Sequence, residues 1–305
     1  DHRYLHTLIG LYTGQPTLCH DMPAAVGEVL WAFGPLAVRG WFNALPSPPT
    51  SQAFADGGFY IMRSARDHVF IDCGPLGLAG RGGHGHNDCL AFEAILDGVP
   101  LVSDCGAYLY TASFQERNRF RSTAYHNTPQ VDGEEINRFI RPDYLWNLYY
   151  DALPRVQEWQ VEKDHALFIG EHQGYCRLVS PVVPRRTILL DFEAHSLYIK
   201  DEFLGEGIHD VTIPLHLAPD VEVSELKECE LILSVGNKRF RVWWPPGSGY
   251  ALRVEDARVS SSYGVVNLSK KLVWFRASAF LATFSLFVAP ADAHSNIESR
   301  VLQWI

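Results

Sequence analysis

The chain has 305 residues, a formal net charge of −9 and 20% charged side chains. That length accommodates about two domains and a large core, and the 47% apolar content is that of an ordinary soluble globular protein. The acidic balance excludes a general nucleic-acid binder, which carries a basic footprint, but leaves an anionic substrate open where arginines cluster locally.

No apolar run approaches the length of a membrane span. The 8 Trp, 13 Tyr and 17 Phe make the chain aromatic-rich, which suits β-structure and sugar-stacking surfaces. Six cysteines (Cys19, Cys73, Cys89, Cys105, Cys176, Cys229) lie far apart with no CxxC pair. They form a poor disulfide framework and a poor Cys-based zinc motif, so they read mostly as small buried residues and leave the redox compartment open. The sequence opens at Asp1 with neither an initiator Met nor a signal peptide, as expected of a processed chain or a fragment.

Residues 1–45 read as helical. Leu5, Leu8, Ile9 and Tyr12 recur at helical spacing before Gly14 and Pro16, and Val26, Val29, Leu30 and Phe33 repeat the pattern before Gly34-Pro35. A third apolar segment runs through Val38, Trp41, Phe42 and Leu45. Three short helices cannot bury their faces alone, so they read as the end of a larger helical domain. Leu45-Pro46-Ser47-Pro48-Pro49-Thr50-Ser51 is the clearest linker, since consecutive prolines support neither helix nor ladder.

Beyond the linker, Gly58–Arg63 and His68–Asp72 predict a hairpin. Residues 89–96 alternate and are followed by Asp97-Gly98 and Leu101-Val102, which favours a second hairpin over a short amphipathic helix. From about residue 155, strand follows strand: 155–162, 165–172, 185–191, 196–203, 208–217, 230–235, 238–244, 250–255, 272–277 and 279–288. The Gly236-Asn237 turn gives the strongest hairpin signal. So many short strands without intervening helices predict a large antiparallel β-sandwich.

Chemistry concentrates between Gly80 and Gly133. His84-Gly85-His86-Asn87-Asp88 is followed by Asp104 in Ser-Asp-Cys-Gly and by His126-Asn127, with Arg81, Arg117, Arg119, Arg121, Tyr108, Tyr110 and Tyr125 around them. On an extended segment a histidine pair at i, i+2 points both rings to one side. Asp104, eighteen residues after His86, ends a β-run that can return beside it. Two histidines and a carboxylate with an open fourth position suit zinc. The alternative is that each histidine is an ordinary hydrogen-bonded core or surface residue.

The segments His-Gly-His-Asn-Asp, Leu-Val-Ser-Asp-Cys-Gly-Ala-Tyr and Arg-Ser-Thr-Ala-Tyr-His-Asn-Thr, in this order, resemble the C-terminal part of heparinase II/III-type polysaccharide lyases. Supporting segments are Gly58–Arg63, Arg185–Ile188, His216–Pro219 and Tyr263-Gly264, so the resemblance covers about residues 50–290. It implies a β-supersandwich over residues 46–305, preceded by the last helices of an α/α-toroid over residues 1–45. It further implies a structural or site-organising Zn2+ on His86, Asp104 and His126, with His84 at the catalytic cleft. The implied reaction is β-elimination at a uronic acid in an acidic polysaccharide, such as a heparan-like glycosaminoglycan, an alginate-like chain or a bacterial exopolysaccharide. Periplasmic or extracellular residence is favoured by the resemblance.

Two departures stand out. The family's Asn or Glu, His and Tyr come from toroid helices, nearly all of which are absent from this sequence, so the N-terminal toroid of a parent chain is an expected partner. The sandwich tyrosine has two candidates, of which Tyr110 is preferred to Tyr108. A non-catalytic carbohydrate-binding or structural module is the rival expectation.

Arg117, Arg119 and Arg121 alternate as if on one strand face, able to contact sulfate or carboxylate or to form a solvated face with Glu116, Glu134 and Glu135. Asn127 is expected to orient its loop locally, and Asp88 to cap a turn or hold a histidine tautomer. His216, Trp243 and Trp244 read as core. A Ser-His-Asp hydrolase is disfavoured, since no Gly-x-Ser-x-Gly elbow occurs.

Overall fold

The computed structural model describes residues 4–15, 18–19, 26–41, 50–293 and 296–305. The chain divides into two compact units, residues 1–50 and 51–305. In the first unit the expected helices form as α1 (Tyr4–Thr13), α2 (Val26–Phe33) and α3 (Pro35–Trp41). Their shared core is small, centred on Cys19 and Val29. Trp31, Tyr12 and Leu36 remain 91%, 82% and 78% exposed, so the unit buries little of its own apolar surface. Phe42, Leu45 and the proline run 46–49 lie outside the described residues.

The second unit is an antiparallel β-sandwich. Its first sheet is a meander of β1 (Gln52–Phe54), β2 (Phe59–Arg63), β3 (His68–Asp72), β4 (Phe92–Leu96) and β5 (Val99–Val102), which includes both expected hairpins. Between β3 and β4 lie a single helical turn, α4 (Gly77–Gly80), and the glycine-rich loop bearing the histidine pair. After β5 come α5 (Phe114–Phe120), a 3-10 turn (Thr123–Tyr125) and the short β6 (Gln130–Val131).

Antiparallel strands then follow one another: β7 (Arg155–Val161), β8 (His165–Glu171), β9 (Val182–Asp191), β10 (Ser196–Gly205), β11 (Ile208–His216) and β12 (Glu222–Ser224). The series continues with β13 (Glu230–Val235), β14 (Lys238–Trp243), β15 (Ala251–Ser262), β16 (Val265–Phe280) and β17 (Phe284–Pro290). They form an eight-stranded sheet, β12-β13-β14-β17-β10-β9-β8-β7, and a four-stranded sheet, β15-β16-β11-β6. One apolar cluster draws from all three sheets and includes Met62, Ile71, Phe168, Ile188, Val242 and Trp274, each fully buried. Burial of such a side chain is worth about 1.5–3 kcal/mol.

The outer face of the eight-stranded sheet is also covered. The C-terminal helix α6 (Ile297–Trp304) seats Ile297 and Val301 on Leu167, Leu189, Tyr198, Trp243 and Phe287. Arg300 forks onto Asp191, and Trp243 donates Nε1–H to Glu298. This explains why β9 is buried on both faces over its last six residues, Arg186–Asp191, rather than alternating.

The differences from the sequence expectation have local causes. The segment 279–288 is not one strand: β16 ends at Phe280 and β17 begins at Phe284. β15 and β16 extend well past the expected 250–255 and 272–277; in the added segments the few apolar residues, such as Ala257, Val259 and Leu268, are set among charged and serine residues, which weakens the strand signal. Four cysteines are buried as expected, while Cys176 is exposed and Cys229 half-buried, and all six are free thiols. Among the described residues no helix is long and apolar enough to cross a membrane.

Candidate metal centre and cleft

The histidine pair sits where the backbone has to turn tightly. Gly82 adopts φ +65°, and a Cβ on Gly82 or Gly85 would fall 2.9 or 2.8 Å from the Leu76 side chain around which the loop wraps. His84 is consequently exposed and His86 half-buried. Asp104 follows β5 directly and accepts the Gly106 N–H at Oδ1 (2.7 Å), closing the Asp-Cys-Gly turn. Gly106 has φ +72°, and a Cβ there would lie 2.2 Å from the Ser260 carbonyl on β15.

His126, fully buried, follows the 3-10 turn and donates Nδ1–H to Asp104 Oδ2 at 2.7 Å. Its Nε2 is buried without a partner. His86, Asp88 and His126 each bring a potential ligand atom within 4.8 Å of the others. The four sequence-separated groups His86, Asp88, Asp104 and His126 are thus drawn together, and Asp88 joins them more closely than a turn cap would.

Electrostatics divides the carboxylates. Burial works to raise Asp104, but the charge and hydrogen bond of His126 hold it well below the usual carboxylate range. Burial likewise works to lower His126, yet Asp104 lifts it to about 9. Asp72 is pushed up to about 8 by burial and then by the charge of Asp88, and burial also raises Asp88 and Glu93. Asp72, Asp88, Glu93 and Asp104 line one cavity of about 180 Å³ with Phe70 and Phe92. Half-buried Asp88 and Asp104 beside the orphaned Nε2 of His126 offer oxygen and nitrogen donors together, a mixture that fits zinc.

A second cavity, of about 350 Å³, is lined by His84, His86, Asp88, Asp72, Leu76 and Phe59. On its rim His84 lies edge-on to Tyr110 at 5.5 Å between ring centroids and to Trp146 at 5.2 Å. Tyr110 also neighbours Tyr263 at 5.8 Å. Tyr108 instead packs on Phe120 at 5.2 Å. Trp146, in the loop after β6, was not singled out from sequence; it lies in the aromatic- and leucine-rich run Tyr144–Tyr150, where nothing local marks one ring for a site.

The three arginines do not share a strand face. Ser113 caps α5 by accepting the Glu116 N–H at 3.3 Å, and Ser-x-x-Glu was the available signal for a helix. Period 3.6 places Arg117 and Arg121 on the buried side and Arg119 on the other, half-exposed and paired with Glu116 at 2.7 Å. Arg121 is structural: it donates to the carbonyls of Leu145 (2.8 Å) and Tyr144 (3.2 Å). Arg117 alone reaches the centre, with Nη1 2.6 Å from His86 Nε2.

Asn127 orients the His126 loop through distant partners rather than locally. Its Nδ2 donates to the carbonyls of Phe92 (2.9 Å) and Ser103 (3.0 Å), and its Oδ1 accepts the His216 N–H at 2.6 Å. Beneath it the buried Arg186–Asp201 pair (2.7 and 2.8 Å) donates to the carbonyls of Leu90 (3.0 Å) and Asn127. His216, Trp243 and Trp244 are buried in the core.

A β-supersandwich carrying a His/Asp cluster between its first sheet and α5 defines the class. A sequence model of the family described as "Heparinase II/III-like, C-terminal" matches residues 46–285, and the chain belongs to that family. Solved structures agree in fold. Heparan sulfate lyase HepC from Pedobacter heparinus is similar at a TM-score of 0.70 and 16% identity over 95% of this chain and 42% of that one. A heparinase III, the BT4657 gene product, is similar at 0.68 and 16% over 94% and 42%. A further heparinase III gives 0.66 and 16% over 84% and 39%. The chain therefore spans less than half of these lyases. No curated protein matches it in sequence.

Proposed function

We propose that this chain is the sandwich part of a polysaccharide lyase that cleaves uronic-acid-containing glycans by β-elimination. The observation that carries the proposal is the exposed His84 set edge-on to Tyr110 at 5.5 Å, on the rim of the cavity that His86 and Asp88 also line. In such a reaction a base removes the C5 proton, the C4–O4 bond breaks with its electron pair on O4, and an acid protonates the leaving oxygen as C4=C5 forms. Histidine and tyrosine supply these proton transfers, and the substrate carboxylate must be neutralised as charge develops at C5. His84 and Tyr110 form one wall of that site; the residues facing them are proposed to come from toroid helices of the parent protein.

His86, Asp104 and His126 are the proposed zinc ligands. A carboxylate ligand has to be ionised, and Asp104 is held low whereas Asp88 is pushed up, which supports Asp104 as the ligand and Asp88 as its neighbour. Bound zinc would supply fixed positive charge that gathers the loops bearing His84 and Tyr110. A second reading, a non-catalytic carbohydrate-binding module, is favoured by the hydrogen-bond net of Asn127 and Arg186, which is what a loop-pinning cation needs.

The test is the ultraviolet absorbance of unsaturated uronates released by the full-length parent from acidic glycans. The signal is expected to disappear in His84→Ala while zinc content is kept. A parent that binds such glycans without producing that absorbance would leave the module reading standing.

A further inference from the structure

Arg117 is fully buried, and among the described residues no carboxylate pairs with it. Its Nη1 contacts His86 Nε2 at 2.6 Å, its Nε and Nη2 have no partner, and its guanidinium lies over the Tyr110 ring at 5.2 Å. A buried charge without a counter-charge is costly and is seldom kept unless something completes it. Glu116, the acid beside it on α5, is committed to Arg119 and Arg258, both at 2.7 Å.

The His86 contact has a chemical consequence. A guanidinium only donates, and a neutral imidazole has one N–H and one lone pair. Nε2 must therefore accept, and the single lone pair of His86 is spent on Arg117. A cation at Nε2 has to displace Arg117 directly. A cation at Nδ1 would move the imidazole proton to Nε2, setting two donors face to face at 2.6 Å. Either way Arg117 and the cation exclude one another, and Arg117 needs another partner when the cation binds.

We infer that Arg117 is an anion receptor shared between His86 and the cleft: it turns from His86 to pair with a uronate carboxylate beside Tyr110, and so frees His86 for the cation. The two free donors, Nε and Nη2, match the bidentate geometry of a carboxylate. Carboxylate and divalent cation then bind with positive coupling, and by linkage each tightens the other equally. The inference rests on the cation reading above and adds the carboxylate-binding group to this chain's own wall of the cleft.

The experiment measures zinc affinity of the 305-residue chain by competition with a chromophoric chelator, alone, with sodium glucuronate and with glucose. Glucuronate is expected to tighten zinc by about 5- to 150-fold, the usual range of coupling, and glucose to leave it unchanged. Arg117→Met should bind zinc more tightly than the wild type without saccharide and should not respond to glucuronate. It should also melt no lower than the wild type, because the guanidinium it removes has no acidic partner. Arg117→Gln, uncharged but still a donor, is expected to lose the glucuronate response as well.

Nitrogen-15 shifts of His86 give a readout that needs no metal: Nδ1–H with Nε2 accepting in the wild type, and loss of that preference in Arg117→Met. A proton on Nε2 in the metal-free wild type overturns the inference. So does an equal glucuronate effect in wild type and Arg117→Met, which leaves the cation reading intact. Zinc binding to none of the forms removes the cation reading and the coupling together.

Discussion

Asp104 and His126 lie 22 residues apart in sequence and meet at 2.7 Å, Oδ2 to Nδ1, with His126 wholly buried and Asp104 36% exposed. The contact joins the end of β5 to the loop after α5, and it leaves Nε2 of His126 facing inward without a partner. The pair has consequences for both stability and metal binding.

In the metal-free chain, stability is expected to fall as pH rises from 6.5 to 9. His126 is raised to about 9, so its contribution is complete below its unfolded value near 6.5 and is lost as pH passes 9. Asp72, raised to about 8, acts with the same sign: the folded state keeps its proton while the unfolded state releases it. Thermal melts of chelator-treated protein should drop by roughly 5 °C between pH 6.5 and 8.5, and added zinc should reduce the drop. A melting point that climbs across this interval contradicts the assignment.

One zinc per chain is expected by elemental analysis of protein purified without added metal. His86→Ala and His126→Ala should lose it. Asp104→Asn should weaken it by more than the roughly 10- to 100-fold typical of a supporting partner, and Asp88→Asn by no more than that. His84→Ala should retain it. Full retention in Asp104→Asn with loss in Asp88→Asn would move the third ligand to Asp88, the carboxylate that converges with the two imidazoles.

Tyr110→Phe keeps the ring contacts with His84 and Trp146 and removes only the hydroxyl. In the full-length parent it should lower turnover by about 10²- to 10⁴-fold, the range for one acid–base group, with little change in zinc content or melting temperature. Tyr108→Phe, whose ring faces Phe120, should be nearly silent. Equal effects of the two would show that Tyr110 acts only by packing.

Gly106→Ala should be among the most damaging small substitutions. The left-handed backbone costs about 1–2 kcal/mol by itself, and the added Cβ would sit 2.2 Å from the Ser260 carbonyl, so β15 must shift. Gly98, with φ +76° but open space around it, isolates the first cost. Urea unfolding of the two variants should differ by several kcal/mol; equal midpoints would show that the strand yields freely.

The sequence by itself determined the alternation that builds the hairpins and the sandwich, because strand periodicity and turn chemistry are local. It also marked His84, His86, Asp104 and His126, since histidines and an aspartate among glycines stand out against apolar runs. Tertiary structure decided what each of these touches. Arg117, Arg119 and Arg121 read as a strand face in a period of two, but the Ser113 cap made a helix that buried two of them and exposed the third. Asn127 was expected to act locally, yet its partners lie 24, 35 and 89 residues away. Asp88, Trp146 and Arg186 gained their places only when β3, β5, the loop after β6 and β9 were folded together. Their roles are set by contacts across sheets, and no spacing within a single segment encodes which carboxylate, ring or guanidinium will share a cavity.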